Sequence, residues 1–269
     1  MPPSGASRLL GAFVLLTLIW GTTWAAIRIG LQGVPPLTGV ALRFAIAGAL
    51  LLALALRFGV RFAGSRREIA LWVANSTLTF SGSYTIVYWS EQYIPSGLSA
   101  VLFATYPLFV AALAHLLLPG ERLNLRAVGG MLLGFTGVVV IFSDDLRQLG
   151  GPMVRRAALV MLLSPFVSAV ASVVVKRWGT DIHPLSLSAV PMLMTGAVMG
   201  TAALVFERGA SVVFDGSSVG ALLYLAVLGS AVTFSVYYWF LARAPATRVA
   251  LIAYTIPIVA VGVGAVLFD

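Results

Sequence analysis

The stretch YWSEQYIPSGLSAVLFATYPLFVA, which begins at Tyr88, returns in altered form as YWFLARAPATRVALIAYTIPIVAV, which begins at Tyr238. At this spacing of 150 residues the Tyr-Trp pairs coincide, and further matches follow: Pro95 with Pro245, Ala100 with Ala250, and Pro107 with Pro257. Upstream, a spacing of 148 residues aligns Arg28 with Lys176, Pro36 with Pro184, and Gly48 with Gly196. The chain therefore contains two copies of one unit, which we place at Leu9–Phe142 and Ala157–Asp269.

The composition assigns the chain to the membrane. Hydrophobic residues make up 60% of the sequence and charged residues 10%, whereas a soluble globular chain carries roughly 25% charged residues. So few polar side chains cannot cover the surface of the folded chain in water, and lipid must cover it instead. The formal net charge of +8 comes from basic residues in short connections between apolar runs. This is typical of membrane proteins and does not indicate nucleic-acid binding.

Nine apolar stretches are long enough to cross a bilayer, which takes about 20 residues of helix. They are Leu9–Gly30, Leu37–Phe58, Ile69–Ser90, Gly97–Leu118, Leu125–Phe142, Ala157–Val175, Leu185–Phe206, Val219–Leu241 and Ala246–Phe268. Only helices and closed barrels satisfy the backbone hydrogen bonds in lipid, and continuous stretches of this length indicate helices. The sequence therefore predicts an all-α polytopic membrane protein that is surrounded by the lipid bilayer.

The number of helices in each copy predicts how the two copies are related. The first copy contains five, and an odd number turns the second copy over in the membrane, which gives two inverted-topology repeats. The second copy contains four before Asp269, so we expect a tenth helix, equivalent to Leu125–Phe142, to be missing from the present chain. Inverted repeats are typical of transporters, in which two halves exchange conformations around one central site.

The connections also predict an orientation. The loop after the second stretch carries Arg57, Arg61, Arg66 and Arg67, and basic loops tend to stay on the cytoplasmic side. We therefore expect a cytoplasmic N-terminus. The first apolar run is too long for the apolar core of a signal peptide and contains the polar sequence WGTTW, so it is predicted to be retained as a helix.

Three segments resemble the EamA-type repeat of the drug/metabolite transporter superfamily. They are LIWGTTWAAIRIG from Leu18, YIPSGLSAVLFATYPLFVAALAHLLLPGERLNLRAVGGMLLGFTGVVVI from Tyr93, and its weaker echo APATRVALIAYTIPIVAVGVGAVLF from Ala244. The resemblance covers essentially the whole chain, and the part from Pro95 to Glu121 is the most specific. It implies ten helices and export of a small molecule across the bacterial inner membrane. The chain is most similar to the YddG-type exporters of aromatic and other amino acids, and the resemblance does not fix the substrate.

Pro107 and Pro257 lie at the same depth in matching helices. A proline inside a helix removes one backbone hydrogen bond and clashes with the carbonyl four residues earlier, here that of Phe103 or Ala253. We interpret the two prolines as gating hinges whose freed carbonyls face a central cavity. A static kink that improves packing is the alternative.

Polar side chains in the predicted helices indicate a water-filled cavity between the two halves. Hydroxyl and amide side chains recur at intervals of four over Asn75–Ser83 and over Ser164–Ser172, so each set lies on one helix face. Small polar residues can also simply join helices in lipid, which is the alternative. Aromatic residues with a polar atom would suit an amino-acid side chain. We predict that the cavity residues are Trp20, Thr23, Asn75, Thr79, Ser83, Tyr84, Tyr88, Tyr106, Ser164, Ser168, Tyr238 and Tyr254.

Arg43 lies within the second predicted span, and no Asp or Glu lies in the middle of any span. Because charges inside the membrane are functional candidates, Arg43 could capture a substrate carboxylate or pair with a carbonyl at a helix break. Snorkelling to the interface is the alternative. The missing carboxylate disfavours a proton-coupled exporter of organic cations and leaves no obvious ion-coupling residue, so facilitated diffusion stays open. It favours neutral or zwitterionic substrates.

We therefore expect an exporter of amino acids or similar small metabolites that works by alternating access about a midplane cavity. The alternatives within transport are carriers of organic cations and of nucleotide sugars or phosphorylated metabolites; the latter would need several buried cations. An intramembrane enzyme is disfavoured because we find no nucleophile–base pair, and a channel because we find no ring of charge. With two histidines and no cysteine, the chain is expected to have no catalytic residue, metal site or cofactor, and to be a monomer.

Overall fold

The computed structural model describes residues 5–141 and 150–259. Within these ranges most residues are helical and none forms a strand, which confirms the predicted all-α fold. The predicted repeat ends at Phe142 and Asp269, and the end of the ninth span at Phe268, lie outside the described residues.

The described residues form nine helices, several of them composite, and each coincides with one predicted span. In the first repeat they are α1, Gly5–Gly30; α2, Pro36–Arg57; α3, Arg66–Ala74, Asn75–Ser83 and Tyr84–Ser90 in direct succession; α4, Ser96–Phe103 and Tyr106–Leu117; and α5, Leu125–Ile141. In the second repeat they are α6, Pro152–Met161 and Leu163–Trp178; α7, Pro184–Phe206; α8, Gly216–Ala226, Val227–Val232 and Thr233–Arg243; and α9, Ala246–Ala250 followed by helical residues 252–259.

Six of these helices are long and apolar enough to cross a membrane by length and composition, namely α1, α2, α4, α6, α7 and α8. Over their described residues α5 and α9 are shorter. The third helix, α3, contains the polar sequence NSTLTFSGS from Asn75 to Ser83. The multi-pass architecture therefore follows from the hydropathy of most helices, while α3 depends on its neighbours to cover its polar side chains.

The helix starts follow from local chemistry. Proline occupies the first turn of α2, α6 and α7, where a backbone N–H has no partner within the helix. At the start of α8 the Asp215 carboxylate accepts from the N–H of Ser218, whose hydroxyl accepts in return from the N–H of Asp215, a capping box. The hydrogen bonds from Ser218 and Ser217 hold the pKa of Asp215 below its ordinary value.

The third helix of each repeat contains a π-helical segment, Asn75–Ser83 in α3 and Val227–Val232 in α8. At the spacing of 150 residues the second segment falls within the equivalent of the first. In π-helical turns the hydrogen bonds run from residue i to i+5, and such turns concentrate at functional sites. The two repeats thus share this π-helical irregularity at equivalent positions, although no pattern in the sequence predicts it.

The fourth helix of each repeat is interrupted. In α4 the interruption is at Ala104 and Thr105, just before the segment that begins with Tyr106 and Pro107, and in α9 it is at Leu251, before Pro257. The hydroxyl of Thr105 donates to a carbonyl three residues earlier at 2.7 Å, which supports the turn in α4. The two breaks are not at equivalent positions, so the fourth helices differ in detail although both keep their proline.

The second helices of the two repeats, α2 and α7, make the most extensive helix–helix contact among the described residues. A Cβ atom on Gly48 would lie 2.8 Å from the backbone nitrogen of Leu193, and one on Gly196 would lie 2.9 Å from the Cα of Ala45. Only glycine allows two backbones to approach so closely. These matching glycines therefore position α2 against α7 and join the two repeats.

Each repeat also caps a helix of the other repeat with a carboxylate. Glu207, after the end of α7, accepts from the first backbone N–H groups of α2 at 2.7 and 2.9 Å. Glu121, after the end of α4, accepts from the first backbone N–H groups of α9 at 2.8 and 3.2 Å. A helix start presents unpaired N–H groups and the positive end of the helix dipole, so both carboxylates stabilise contacts between the repeats.

Candidate functional site

A cavity lies between the two repeats, and residues from both of them form its wall. The space inside it that is free of protein atoms is about 790 Å³, a value that includes space open to solvent. The wall consists of Trp20, Thr23, Trp24 and Ile27 of α1; Thr79, Ser83, Tyr84 and Val87 of α3; Phe103 and Tyr106 of α4; Ser168 and Ser172 of α6; Phe234, Tyr237 and Tyr238 of α8; and Val249, Ala250, Ile252, Ala253 and Ile256 of α9.

Most of the predicted cavity residues belong to this wall: Trp20, Thr23, Thr79, Ser83, Tyr84, Tyr106, Ser168 and Tyr238. No Asp, Glu, Lys, Arg or His is among the described residues that line it. Hydroxyl and aromatic side chains that are far apart in the sequence are thus brought together around one uncharged space. Their contact with a substrate stays a prediction.

Two predicted residues lie behind the wall and hold it in place. The side-chain carbonyl of Asn75 accepts from the hydroxyls of Thr79 at 2.7 Å and of Tyr238 at 2.8 Å, while its amide donates to the carbonyl of Leu187 at 2.8 Å. The hydroxyl of Ser164 lies 2.7 Å from that of Ser83. Asn75 therefore links α3, α7 and α8 and orients two wall residues rather than facing the cavity.

Two further predicted residues lie elsewhere. The hydroxyl of Tyr88 lies 3.4 Å from the Arg43 guanidinium, beside the cavity rather than in its wall. Tyr254 packs against α5, where a Cβ atom on Gly134 would lie 2.9 Å from the tyrosine ring. The residues that flank Tyr254 along the chain, such as Ala253, do reach the cavity, so helix rotation decides which side chains line it.

A hydroxyl network runs across one side of the cavity. The hydroxyls of Tyr106 and Tyr237 lie 2.7 Å apart, and both donate to Ser172 Oγ at 2.8 Å. Ser172 donates to the carbonyl of Ser168, whose own hydroxyl donates to Ser83 at 2.8 Å. The network joins α3, α4, α6 and α8, and therefore couples the two repeats through groups that line the cavity.

Aromatic rings form the remaining wall around Trp20. The ring centroid of Trp20 lies 5.5 Å from those of Phe234 and Tyr237, and that of Trp24 lies 5.6 Å from that of Phe103. The indole nitrogen of Trp20 is buried and has no hydrogen-bond partner among the described residues. Because buried indole N–H groups usually find an acceptor, this unpaired donor is a candidate partner for a bound molecule.

Arg43 is fully buried behind the cavity wall. Its guanidinium donates to Ser230 Oγ at 2.8 Å and to the carbonyl of Gly229 at 3.0 Å, both in the π-helical segment of α8. It also lies 4.6 Å from the ring centroid of Tyr84, which separates it from the cavity. Of the roles considered for Arg43, this geometry corresponds to pairing with a carbonyl at an irregular turn.

The two predicted hinge prolines are buried and do not line the cavity. The residues with the carbonyls that they were expected to free, Phe103 and Ala253, are both in its wall. Pro107 lies in the first turn of the helical segment that follows the break in α4. A role of either proline in gating stays a prediction.

The list of predicted cavity residues omits several wall residues, although Ser172 belongs to the hydroxyl face that the sequence indicated. Tyr237 and Ser172 are central to the hydroxyl network, and the adjacent Tyr238 and the serine spacing of α6 were signals for them. Phe234 and the apolar residues of α9 carry no such signal, because an apolar side chain in a membrane helix can equally face lipid. Glu91, which the sequence places at a helix end, is only 3% exposed, and nothing in the sequence marks it as buried.

Comparisons with known proteins agree with this architecture. The sequence model of the EamA-like transporter family matches residues 9–143 and 155–269. The "Uncharacterized inner membrane transporter YedA" of Escherichia coli is 29% identical over 256 residues, which cover 95% of this chain and 81% of the relative. The "Uncharacterized transporter YoaV" of Bacillus subtilis is 24% identical over 257 residues, covering 96% and 87%. One crystal structure shares the fold with a TM-score of 0.82 at 23% identity, covering 98% of this chain and 88% of its own.

Proposed function

The chain belongs to the EamA-like transporter family, and on this basis we propose that it exports amino acids or similar small neutral or zwitterionic metabolites by alternating access. That it is a multi-pass membrane transporter follows from the family and from the relatives described as transporters. The EamA-type resemblance is thereby confirmed. Similarity to the YddG-type exporters stays a prediction, and the substrate class rests on the cavity.

The observation that supports this substrate class is the Trp20 N–H, which has no partner among the described residues and belongs to an aromatic wall in which none of them is charged. A substrate carboxylate or carbonyl would accept a hydrogen bond from this donor, and the rings around it would cover an aromatic or aliphatic side chain. The hydroxyls of Tyr106, Tyr237 and Ser172 can both donate and accept, which suits an amino group on the same molecule.

Alternating access is supported by the way the two repeats meet. The cavity wall takes helices from both repeats, the contact between α2 and α7 joins the repeats through closely packed glycines, and α4 and α9 are interrupted beside the cavity. In an inverted repeat, one half can exchange its conformation with the other around a fixed site. We propose that α2 and α7 form the axis and that α4 and α9 open and close the cavity.

One competing substrate class has an observation in its favour. Aromatic rings also bind organic cations through the ring quadrupole, and Trp20, Trp24 and Phe234 would present such faces. A cation exporter needs a carboxylate that binds either the drug or a proton, and none lines the cavity over the described residues. Phosphorylated metabolites are disfavoured because no basic side chain among those described lines it either.

The same proposal includes the membrane that holds the transporter, its orientation and its oligomeric state. The arginines between α2 and α3 favour a cytoplasmic N-terminus, and the E. coli relative is described as an inner membrane transporter. We place the chain in a bacterial inner membrane, as a monomer, with a small-molecule substrate.

The test is exchange in proteoliposomes that contain the full chain and are loaded with labelled phenylalanine, threonine or tetraphenylphosphonium. We expect phenylalanine and threonine to exchange against external unlabelled amino acid, and the cation to be retained. Exchange of tetraphenylphosphonium without exchange of either amino acid would overturn the proposed substrate class.

Trp20→Phe tests the role of the indole donor. It keeps an aromatic ring but removes the N–H, and a lost hydrogen bond of about 1 kcal/mol raises the KM of phenylalanine exchange roughly fivefold. Trp178→Phe is the matched control, because Trp178 is half exposed at the end of α6, and its KM should not change. An unchanged KM for Trp20→Phe would show that this donor does not bind the substrate.

A further inference from the structure

The two ends of the helix bundle carry matching contacts between a basic residue and a helix connection. We call them the Arg28 end, which holds Arg28, Glu91 and Glu207, and the Lys176 end, which holds Lys176 and Glu121. Arg28 and Lys176 occupy equivalent positions in α1 and α6. The repeat therefore allows one end to be compared directly with the other.

At the Lys176 end the basic side chain has short hydrogen bonds to backbone carbonyls. The ammonium group of Lys176 donates to the carbonyls of Leu241 at 2.8 Å and Ala244 at 2.9 Å, at the end of α8. At the Arg28 end the guanidinium donates to the carbonyl of Ile94, the residue equivalent to Ala244, at 3.3 Å. Arg28 thus repeats one of the two contacts, at a longer distance, and its side chain is exposed.

The second contact is not repeated, and the residue equivalent to Leu241 instead carries a carboxylate without a partner among the described residues. Glu91 occupies the position equivalent to Leu241, directly after the end of α3. It is 3% exposed, and both of its carboxylate oxygens are buried without a hydrogen-bond partner among the described residues. By contrast, the equally buried Glu68 accepts from Ser186 Oγ and from the N–H of Gly64. The missing partner is therefore particular to Glu91 and does not follow from burial alone.

The charged and titratable groups around Glu91 come from four elements. Arg28 of α1 and Arg43 of α2 act on it through their charge, and Tyr88 lies on its own helix. The first segment of α6, which packs against the end of α3, carries Arg155 and Arg156 on exposed positions. The only ion pair of the described residues is at the other end of the bundle, so none of these cations pairs with Glu91 here.

An ionised carboxylate without donors is costly in a buried site. Two arrangements relieve this cost: a bound proton makes the group neutral, or a cation moves within hydrogen-bonding distance. Arg43 is already held by Ser230 and Gly229. Arg28 is exposed and held by one long bond, so it is the cation that can move.

We propose that Glu91 is a proton-binding site whose occupancy sets the conformation of the Arg28 end and so couples proton binding to transport, which rests on the transport function proposed above. In the described conformation Glu91 carries the proton. When its O–H bond breaks and the proton passes to water, the carboxylate pairs with Arg28. This pairing draws the end of α1 towards the connection between α3 and α4 and closes the Arg28 end, which faces the outside in the predicted orientation.

The first experiment measures the proton itself and requires no substrate. Infrared spectra of the purified full chain at neutral pH should show the carbonyl stretch of a buried protonated carboxyl that disappears as the pH is raised. Glu91→Gln should lack this band, and Glu68→Gln, the matched control with a hydrogen-bonded buried carboxylate, should keep it. A wild-type spectrum without the band, or a Glu91→Gln spectrum that retains it, would overturn the proposal.

The second experiment measures the coupling to transport. Phenylalanine exchange in proteoliposomes at equal pH on both sides should slow as the pH rises through the range in which the infrared band disappears. Glu91→Gln, which stays neutral, should keep the faster rate at every pH, and Arg28→Met, which removes the partner, should also stay open at high pH. Glu68→Gln should follow the wild type. A Glu91→Gln variant with the wild-type pH profile would contradict the coupling.

The two experiments separate failure of this inference from failure of the proposed function. If no amino acid exchanges, the proposed substrate class fails, while the infrared band still decides whether Glu91 binds a proton. If amino acids exchange with a rate that does not depend on the state of Glu91, the substrate class stands and the coupling is wrong.

Discussion

The pair α2 and α7 and the pair α4 and α9 connect the same two repeats in opposite ways. The first pair is continuous, contains the closely packed Gly48 and Gly196, and contacts along much of its length. The second pair is interrupted in both helices, and residues on both sides of each break line the cavity. The same repeat symmetry therefore produces one rigid helix pair and one pair that can bend. The local backbone chemistry decides which pair bends.

The contrast rests on the closely packed glycines of one pair and on the helix breaks that precede a proline in the other, since α7 of the first pair also contains a proline, Pro191, without a break. Glycine removes the Cβ atom and lets two helices approach until their backbones touch, which leaves no room for independent movement. Proline removes a hydrogen bond within one helix, which lowers the cost of bending that helix. Substitutions at these residues should therefore affect different properties of the protein.

The largest effect is expected from Gly196→Ala in α7. The added Cβ atom would lie 2.9 Å from the Cα of Ala45, so α2 and α7 must move apart, and overpacking of this kind costs about 1–3 kcal/mol. The measurement is the Tm of the purified protein in detergent. Gly200→Ala is the control in the same helix, since its Cβ would lie 3.9 Å from that of Ala41. Equal losses in both variants would show that the contact is not closely packed.

A smaller effect, on rate rather than stability, is expected from Pro107→Ala in α4. The substitution restores an N–H and favours a continuous helix, so exchange should slow by roughly tenfold, which corresponds to about 1.4 kcal/mol in the barrier, with no loss in Tm. Pro191→Ala is the control, because Pro191 lies inside α7 in the rigid pair and should leave the exchange rate unchanged. Similar slowing in both variants would remove the distinction between the two pairs.

The smallest effect is expected outside both pairs, at the exposed ion pair of Arg67 and Asp181. The hydrogen bond from Arg67 lowers the pKa of the Asp181 carboxyl. A group with a lowered folded-state pKa stabilises the fold above its unfolded pKa, and this contribution is lost as the pH falls through the folded pKa. Asp181→Asn should therefore cost less than about 1 kcal/mol at neutral pH, because the pair is exposed.

At acidic pH the difference between wild type and Asp181→Asn should disappear, since the wild-type carboxyl is then protonated as well. The measurement is the Tm of both proteins at neutral pH and at about pH 2, well below the ordinary Asp pKa of about 3.9. A difference that persists at the lower pH would show that Asp181 acts through packing rather than through its charge.

The sequence was sufficient for the class of the fold and for much of the cavity. Hydropathy predicts each helix, and the repeated Tyr-Trp and proline positions relate the two halves. Wall residues such as Thr79, Ser83 and Ser168 could be predicted because a hydroxyl group in a membrane helix needs a polar partner. The hydroxyl groups themselves are visible in the sequence. The predicted substrate and hinge roles stay predictions.

The remaining features depend on distances between packed helices, which the spacing of residues along the sequence does not specify. Asn75 has the same polar signal as Thr79 but lies behind the cavity, because the π-helical segment and the contact with α7 set the rotation of α3. Tyr254 carries the same aromatic signal as Tyr106 yet packs against α5. A local pattern can predict that a side chain is polar and internal, but it does not predict which internal surface it faces.

The sequence by itself determined that this protein is a membrane-embedded pair of inverted repeats, because the hydropathy of each segment and the number of segments in each repeat are properties of the chain alone. Only the tertiary structure decided that Arg43 is held by the π-helical turn of α8. It also decided that the Trp20 N–H and the buried Glu91 carboxylate have no hydrogen-bond partner within residues 5–141 and 150–259. Burial and hydrogen bonding are relations between segments, and they exist only once the helices have packed.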